Sequence, residues 1–120
     1  LVIDLKQRGL LDSTIVHWGG EIGRLPVCEG ELNDSVGRDH NGQGFSLWLA
    51  GGGIKPGMTY GETDEVGHKA AVNVVTPNDY QATILQLLGL DHARLVYHNN
   101  GRAMQITNGH AARVVNEILA

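Results

Sequence analysis

The chain has 120 residues, the size of one ordinary domain that hides roughly two-thirds of its unfolded surface, so two independent cores are not expected. A hydrophobic fraction of 42% with 18% charged excludes a disordered chain, and no apolar run approaches the roughly 18 residues of a membrane helix. A net charge of -4 without a basic cluster argues against nucleic acid, and the single Cys28 leaves no intrachain disulfide or thiolate metal cage, so any metal must use His and carboxylates.

Seventeen glycines against six Phe, Trp or Tyr point to long, backbone-shaped loops. The chain opens at Leu1 inside an apolar pattern, with no initiator Met or export signal, as a piece of something longer would. Leu1, Val2 and Leu5 fit the inner face of a helix's last turns, with Gly9 as the residue that ends it. After the turn pair Asp12-Ser13, the run Thr14 to Trp18 is short and β-branched, as a buried strand of a parallel sheet is. From Gly19 to Gly44 the chain is polar and glycine-rich without a sustained period, and reads as a long functional loop. Phe45 to Ala50 reads as a second buried strand, with Met58 to Tyr60 as a short edge strand beyond the Pro56-Gly57 turn. The two buried strands are expected to be sheet neighbours.

Thr76-Pro77-Asn78-Asp79 places a capping hydroxyl, a proline at the first helical position and a carboxylate at the third, a helix start that predicts a helix to about Leu88. Tyr80, Ile84, Leu87 and Leu88 share one face, and Gly89 stops it. Leu95 to His98 and Arg102 to Ile106 flank Asn99-Asn100-Gly101, a hairpin signal. Ala111, Val114, Val115, Ile118 and Leu119 have helical spacing and predict a last helix, capped by Thr107 or Asn108. A helix feeding a buried strand is α/β grammar, so the expected class is α/β.

Two clusters carry the candidate chemistry. Trp18-Gly19-Gly20-Glu21-Ile22-Gly23-Arg24 follows a strand, where ligands of open α/β sheets collect, and its glycines would turn Glu21 into the crevice to hold a divalent cation or act as a base. Its bland reading is a tight turn with a solvated Glu. Gly37-Arg38-Asp39-His40-Asn41-Gly42 packs a guanidinium, a carboxylate and an imidazole into one loop; Asp39 and His40 suit zinc or manganese, and Arg38 suits an oxyanion. Its bland reading is a surface turn. Gly51 to Gly57 lacks the Gly-Lys-Ser/Thr ending of a phosphate loop. Glu62, Asp64, Glu65 and His68 read as a solvated charge run, His17 as a satisfied core histidine, and His92, His98 and His110 as turn or cap residues. No serine nucleophile elbow is present.

Leu11 to Val16 running into Trp18 to Arg24, then Gly37 to His40, Leu49 to Gly53, Gly61 to Glu65 and Ala82 to His92 resemble, in order, domain-of-unknown-function family 1501. That family is sulfatase-like and resembles the alkaline phosphatase/sulfatase superfamily. The resemblance implies a mixed, mostly parallel sheet with flanking helices, of which residues 1–120 would be the C-terminal portion of a larger α/β domain. It implies a metal-dependent hydrolase of sulfate or phosphate esters, with a divalent zinc, manganese or calcium ion and a small-molecule or carbohydrate ester as substrate. Nucleophile and first aspartate ligands would come from the N-terminal half, so the portion alone is expected to be inactive.

By position, the resemblance makes Glu21 and His40 metal ligands with Asp39 assisting, while Arg24 or Arg38 steadies the oxyanion. Glu21 stands where relatives carry an Asp-His or Asp-Asn pair, and Gln81 stands where many members have a His-Asp-Leu-His helix start. Relatives often carry export signals, which makes an extracytoplasmic home an analogy. The alternative reading is a non-catalytic sulfatase-like module that binds anionic carbohydrate or a protein partner.

Overall fold

The computed structural model describes residues 1–107 and 109–120. The chain forms two compact units, residues 1–74 and 75–120.

In the first unit, helix α1 (Val2–Gln7) ends as its sequence predicts. The Gly9 N–H donates to the Lys6 carbonyl (3.1 Å) and the Leu10 N–H to the Leu5 carbonyl (2.9 Å), with Gly9 at φ +69. This pair of bonds is a Schellman motif, which satisfies carbonyls the helix leaves open. A 3-10 turn over Leu11–Ser13 leads into β1 (Val16–Trp18). The remaining strands of this unit are β2 (Gly23–Cys28), β3 (Arg38–Asn41), β4 (Trp48–Ala50), β5 (Glu62–Thr63) and β6 (Ala70–Val72).

Strands β1 and β4 are sheet neighbours, as the two apolar runs predict, with Val16 opposite Ala50, His17 opposite Leu49 and Trp18 opposite Trp48. Their direction corrects the expected fold class. Among the described residues every sheet is a two-stranded antiparallel ribbon, β1-β4, β2-β3, β5-β6 and, in the second unit, β7 (Val96–Asn99) with β8 (Arg102–Gln105), and the mixed, mostly parallel sheet with flanking helices is not present. A parallel pair needs a crossover, usually a helix, between its strands. The segment between β1 and β4 is instead the hairpin β2-β3, which returns the chain antiparallel. The stretch expected as one long loop therefore contains two strands. The edge strand expected over Met58 to Tyr60 is absent, and the next strand is β5.

The burial expected of both strands is not found: His17, Trp18 and Trp48 are exposed, and His17 is not part of a core. The loop between β5 and β6 is closed by Asp64. Its N–H donates to the Lys69 carbonyl at 2.9 Å and its Oδ1 accepts from the His68 N–H at 2.7 Å. That last bond, ahead of every other influence, holds the Asp64 carboxyl below its ordinary value.

The second unit is built on α2 (Pro77–Leu87). Thr76 caps it with a reciprocal box: Thr76 Oγ1 accepts from the Asp79 N–H (3.1 Å) and Asp79 Oδ2 accepts from the Thr76 N–H (2.9 Å). Its far end repeats the Schellman geometry, Gly89 N–H to Gln86 carbonyl (3.0 Å) and Leu90 N–H to Leu85 carbonyl (2.8 Å). The hairpin of β7 (Val96–Asn99) and β8 (Arg102–Gln105) turns at Asn100-Gly101, as predicted, with Asn99 opposite Arg102.

Two expectations for this unit are corrected. The buried face of α2 is Asp79, Ala82 and Thr83, whereas Leu88 is 61% exposed. The last helix is absent: residues 111–115 carry no helix and only a 3-10 turn follows, at Asn116–Ile118. Both corrections have one cause. Asp79 Oδ1 accepts from the Arg113 N–H (2.8 Å) and Thr83 Oγ1 from the Val115 N–H (2.9 Å), so side chains of α2 take backbone donors that a helix would use internally. Ala82 and Val115 are both fully buried. Of the two residues expected as a cap for that helix, Thr107 is buried and Asn108 lies outside the described residues.

Leu87 is half-buried. Leu87→Ala is accordingly expected to cost about 1 kcal/mol, below the roughly 2–5 kcal/mol of a full core truncation. A urea titration that returns a core-sized loss would contradict this placement.

Candidate functional site

The site is carried by the β2-β3 hairpin. Gly23 pairs with Asn41, Arg24 with His40 and Cys28 with Arg38, with a register irregularity between Arg24 and Cys28. Pro26 lies in that irregular stretch, where a residue without an N–H disturbs the ladder least. Gly23 is required by the packing: a Cβ there would meet the Gly44 carbonyl and come within 2.9 Å of Phe45 Cβ. Beyond β2, the Glu29 N–H donates to the Gly37 carbonyl (3.0 Å), which extends the hairpin and brings Glu29 toward the start of β3.

The hairpin is anchored at its other end by Asn41, which is 2% exposed. Its Nδ2 donates to the His68 carbonyl (2.8 Å) and its Oδ1 accepts from the Gln43 N–H (2.9 Å). The Gln43 carbonyl in turn accepts from the Ala70 N–H (2.8 Å). A buried amide with both ends satisfied fixes a backbone position, and here it fixes the strand that carries Asp39 and His40.

Glu29, Asp39 and His40 each present one ligand atom, and the three atoms lie within 4.8 Å of one another. Asp39 Oδ1 also accepts from the His40 N–H (2.7 Å), which curls the carboxylate toward the histidine. Two carboxylates and an imidazole suit zinc or manganese and leave positions open for water or substrate. Atoms this close could be brought onto one ion by side-chain rotations, since metal–ligand bonds run about 2.0–2.6 Å. The donor set therefore fits a divalent cation.

The predicted residues fall around this trio in different ways. Asp39 and His40 are in it. Glu21, exposed on the bend before β2, is not one of the three. Arg24 is the register partner of His40, so the two side chains share a face of the ribbon about 5 Å apart at their Cβ atoms. Its Nη1 donates to the Arg38 carbonyl (3.1 Å), one of five donors the guanidinium owns. Arg38 precedes Asp39 on β3 and is exposed.

Glu29 was not a sequence candidate. Its signal is the apolar run Leu25 to Cys28, which reads as a strand once Pro26 is allowed at a bulge. The glycine run Gly51-Gly52-Gly53, set aside as a phosphate loop, packs tightly: a Cβ on Gly51 would meet the Leu11 and Thr14 carbonyls, and one on Gly52 the Ile15 side chain.

The chain belongs to the family described as "Protein of unknown function (DUF1501)", which matches residues 1–119. No curated protein and no solved structure matches it. Among the described residues no helix is long and apolar enough to cross a membrane.

Proposed function

We propose that this chain contributes metal ligands and oxyanion-holding cations to a sulfatase-like, metal-dependent hydrolase of sulfate or phosphate esters. The observation that supports the reading is the meeting of Glu29, Asp39 and His40 within 4.8 Å on the hairpin that also carries Arg24 and Arg38. A bound divalent ion would supply Lewis-acid polarisation of the ester and stabilise developing negative charge. His40 serves in its neutral form, Asp39 and Glu29 as carboxylates, and Glu21 as a further oxygen donor from the bend before β2. Arg24 and Arg38 hold the remaining ester oxygens through planar, permanently charged forks. The nucleophile comes from the N-terminal half implied by the sulfatase resemblance, and residues 1–120 alone are inactive.

The test is metal content, together with nitrophenol release from aryl sulfate and aryl phosphate, in the intact protein and its Glu29→Ala, Asp39→Ala, His40→Ala and Glu21→Ala variants. Metal content and activity are expected to fall together in the His40 and Asp39 variants, by more than the roughly 10–100-fold typical of losing a group that only orients a ligand. Full activity and full metal content in both of these variants would reject the assignment.

A second reading, a non-catalytic module for anionic carbohydrate, draws on Trp18 and Trp48. They are direct cross-strand partners, 73% and 46% exposed, and paired aromatic faces are suited to stacking against a flat apolar surface such as a sugar ring. A metal-free, inactive intact protein that binds sulfated oligosaccharide, and loses that binding in Trp18→Ala, would favour it.

A further inference from the structure

The sequence contains three asparagine–glycine pairs, Asn41-Gly42, Asn100-Gly101 and Asn108-Gly109. Such pairs are chemically labile because glycine has no Cβ to shield its backbone nitrogen from the preceding side-chain amide. The structure treats the first two very differently. Asn41 is 2% exposed, and its amide is engaged by the His68 carbonyl (2.8 Å), the Gly67 carbonyl (3.5 Å) and the Gln43 N–H (2.9 Å). Asn100 is exposed at the tip of the β7-β8 hairpin, at φ +50 and followed by Gly101 at φ +76. All four residues of β7 are exposed as well.

We propose that Asn100 is a site of spontaneous covalent modification, deamidation to aspartate and isoaspartate, from which the fold protects Asn41. The Gly101 backbone nitrogen attacks Cγ of Asn100 and forms a new N–Cγ bond. The Cγ–Nδ2 bond breaks, and Nδ2 leaves as ammonia with the proton that Gly101 gives up, closing a succinimide ring. Water then opens the ring at either carbonyl. One opening gives Asp at position 100, and the other gives isoaspartate, with the main chain routed through Cβ.

Ring closure requires the turn to leave its native dihedrals. For a solvent-exposed two-stranded hairpin that opening is easy, since such hairpins are marginal by themselves and local openings of exposed segments lie near the bottom of the stability range. For Asn41 the same motion has to break three hydrogen bonds and expose a buried amide. The isoaspartyl product lengthens the turn by one carbon and is incompatible with the direct Asn99–Arg102 pairing, so modification opens the hairpin from its tip.

The protein is aged at neutral and mildly alkaline pH, digested with trypsin, and mapped by mass spectrometry together with isoaspartyl methyltransferase labelling. Cleavage after Arg38, Lys69, Arg94 and Arg102 places Asn41, Asn100 and Asn108 in separate peptides, Lys55 being protected by the Pro56 that follows it. In the folded protein the Asn100 peptide is expected to convert at least about tenfold faster than the Asn41 peptide, and faster still at the higher pH. In urea the two rates converge. Asn100→Asp abolishes the mass change of deamidation in this peptide and leaves only the slower isoaspartyl labelling that an Asp-Gly pair gives through the same succinimide with loss of water. Equal folded-state rates at Asn41 and Asn100, or an Asn100 peptide that reacts in urea but stays unmodified in the folded protein, would overturn the proposal.

Discussion

Asp79→Ala is expected to destabilise the 75–120 unit by about 3 kcal/mol, because one carboxylate serves two parts of the fold. Its Oδ2 completes the cap of α2 by accepting from Thr76, and its Oδ1 fixes the extended segment by accepting from Arg113. Alanine leaves both N–H groups without an acceptor in a region where Asp79 is 7% exposed. Asp79→Asn is the sharper variant, since an amide accepts at one end only and turns a donor toward a donor at the other; about 1–2 kcal/mol is expected.

The pH dependence follows from the carboxyl's position. Partial burial pushes its pKa upward, but the N–H groups of Arg113 and Thr76, the Thr76 side chain and the Arg113 charge together hold it below its ordinary 3.8. A lowered folded value means that the stabilisation is complete above the unfolded value and disappears as pH falls through the folded one. The wild-type advantage over Asp79→Asn should therefore be present at pH 7 and shrink at acid pH, below 3.8. Urea titrations followed by circular dichroism at neutral and acid pH measure it, and an advantage unchanged between them would contradict the double role.

Gly51→Ala is the second large effect, again about 3 kcal/mol, and falls on the 1–74 unit. Two penalties coincide there. The residue sits at φ +70, which L side chains resist by about 1–2 kcal/mol, and its Cβ would meet two backbone oxygens, those of Leu11 and Thr14. Carbonyls of the main chain cannot rotate away as a side chain can, and the neighbouring Gly52 N–H is bonded to the same Leu11 carbonyl (3.0 Å). Gly9→Ala isolates the dihedral penalty, because φ is +69 but the surroundings are open; about 1 kcal/mol is expected. Gly37→Ala has neither penalty and should change stability by less than about 0.5 kcal/mol. A Gly51 variant no worse than the Gly9 variant would show that the Leu11 to Thr14 backbone yields.

These two sites also show which parts of the fold could be read from the chain. The Thr76-Pro77-Asn78-Asp79 start, the Gly9 and Gly89 stops and the Asn100-Gly101 turn are decided by chemistry within a few residues, and each was legible. Strand direction was not: Thr14 to Trp18 and Phe45 to Ala50 look alike whether they pair parallel or antiparallel, and the deciding feature is the hairpin between them, disguised by Pro26. The last helix failed for a long-range reason, as residues 111–119 have helical spacing but Arg113 and Val115 give their N–H groups to α2. The site divides in the same way. Asp39 and His40 could be paired because they are adjacent, whereas Glu29 joins them only through the register of β2 against β3.

The nesting of one ribbon within another predicts an order of folding. Pairing Trp18 with Trp48 closes a long loop, whereas the β2-β3 hairpin inside it closes a shorter one and, though marginal by itself, forms transiently in about 1–10 μs. Once formed, it removes most of the intervening chain from the search. The effective loop between β1 and β4 shortens, and each halving lowers the closure entropy by about 0.6 kcal/mol. The strand that carries Asp39 and His40 is thereby placed among the earliest parts of its unit to assemble, and the Trp18–Trp48 pairing comes after it. Substitutions that weaken the β2-β3 pairing should slow folding, and substitutions at the tryptophans should chiefly hasten unfolding.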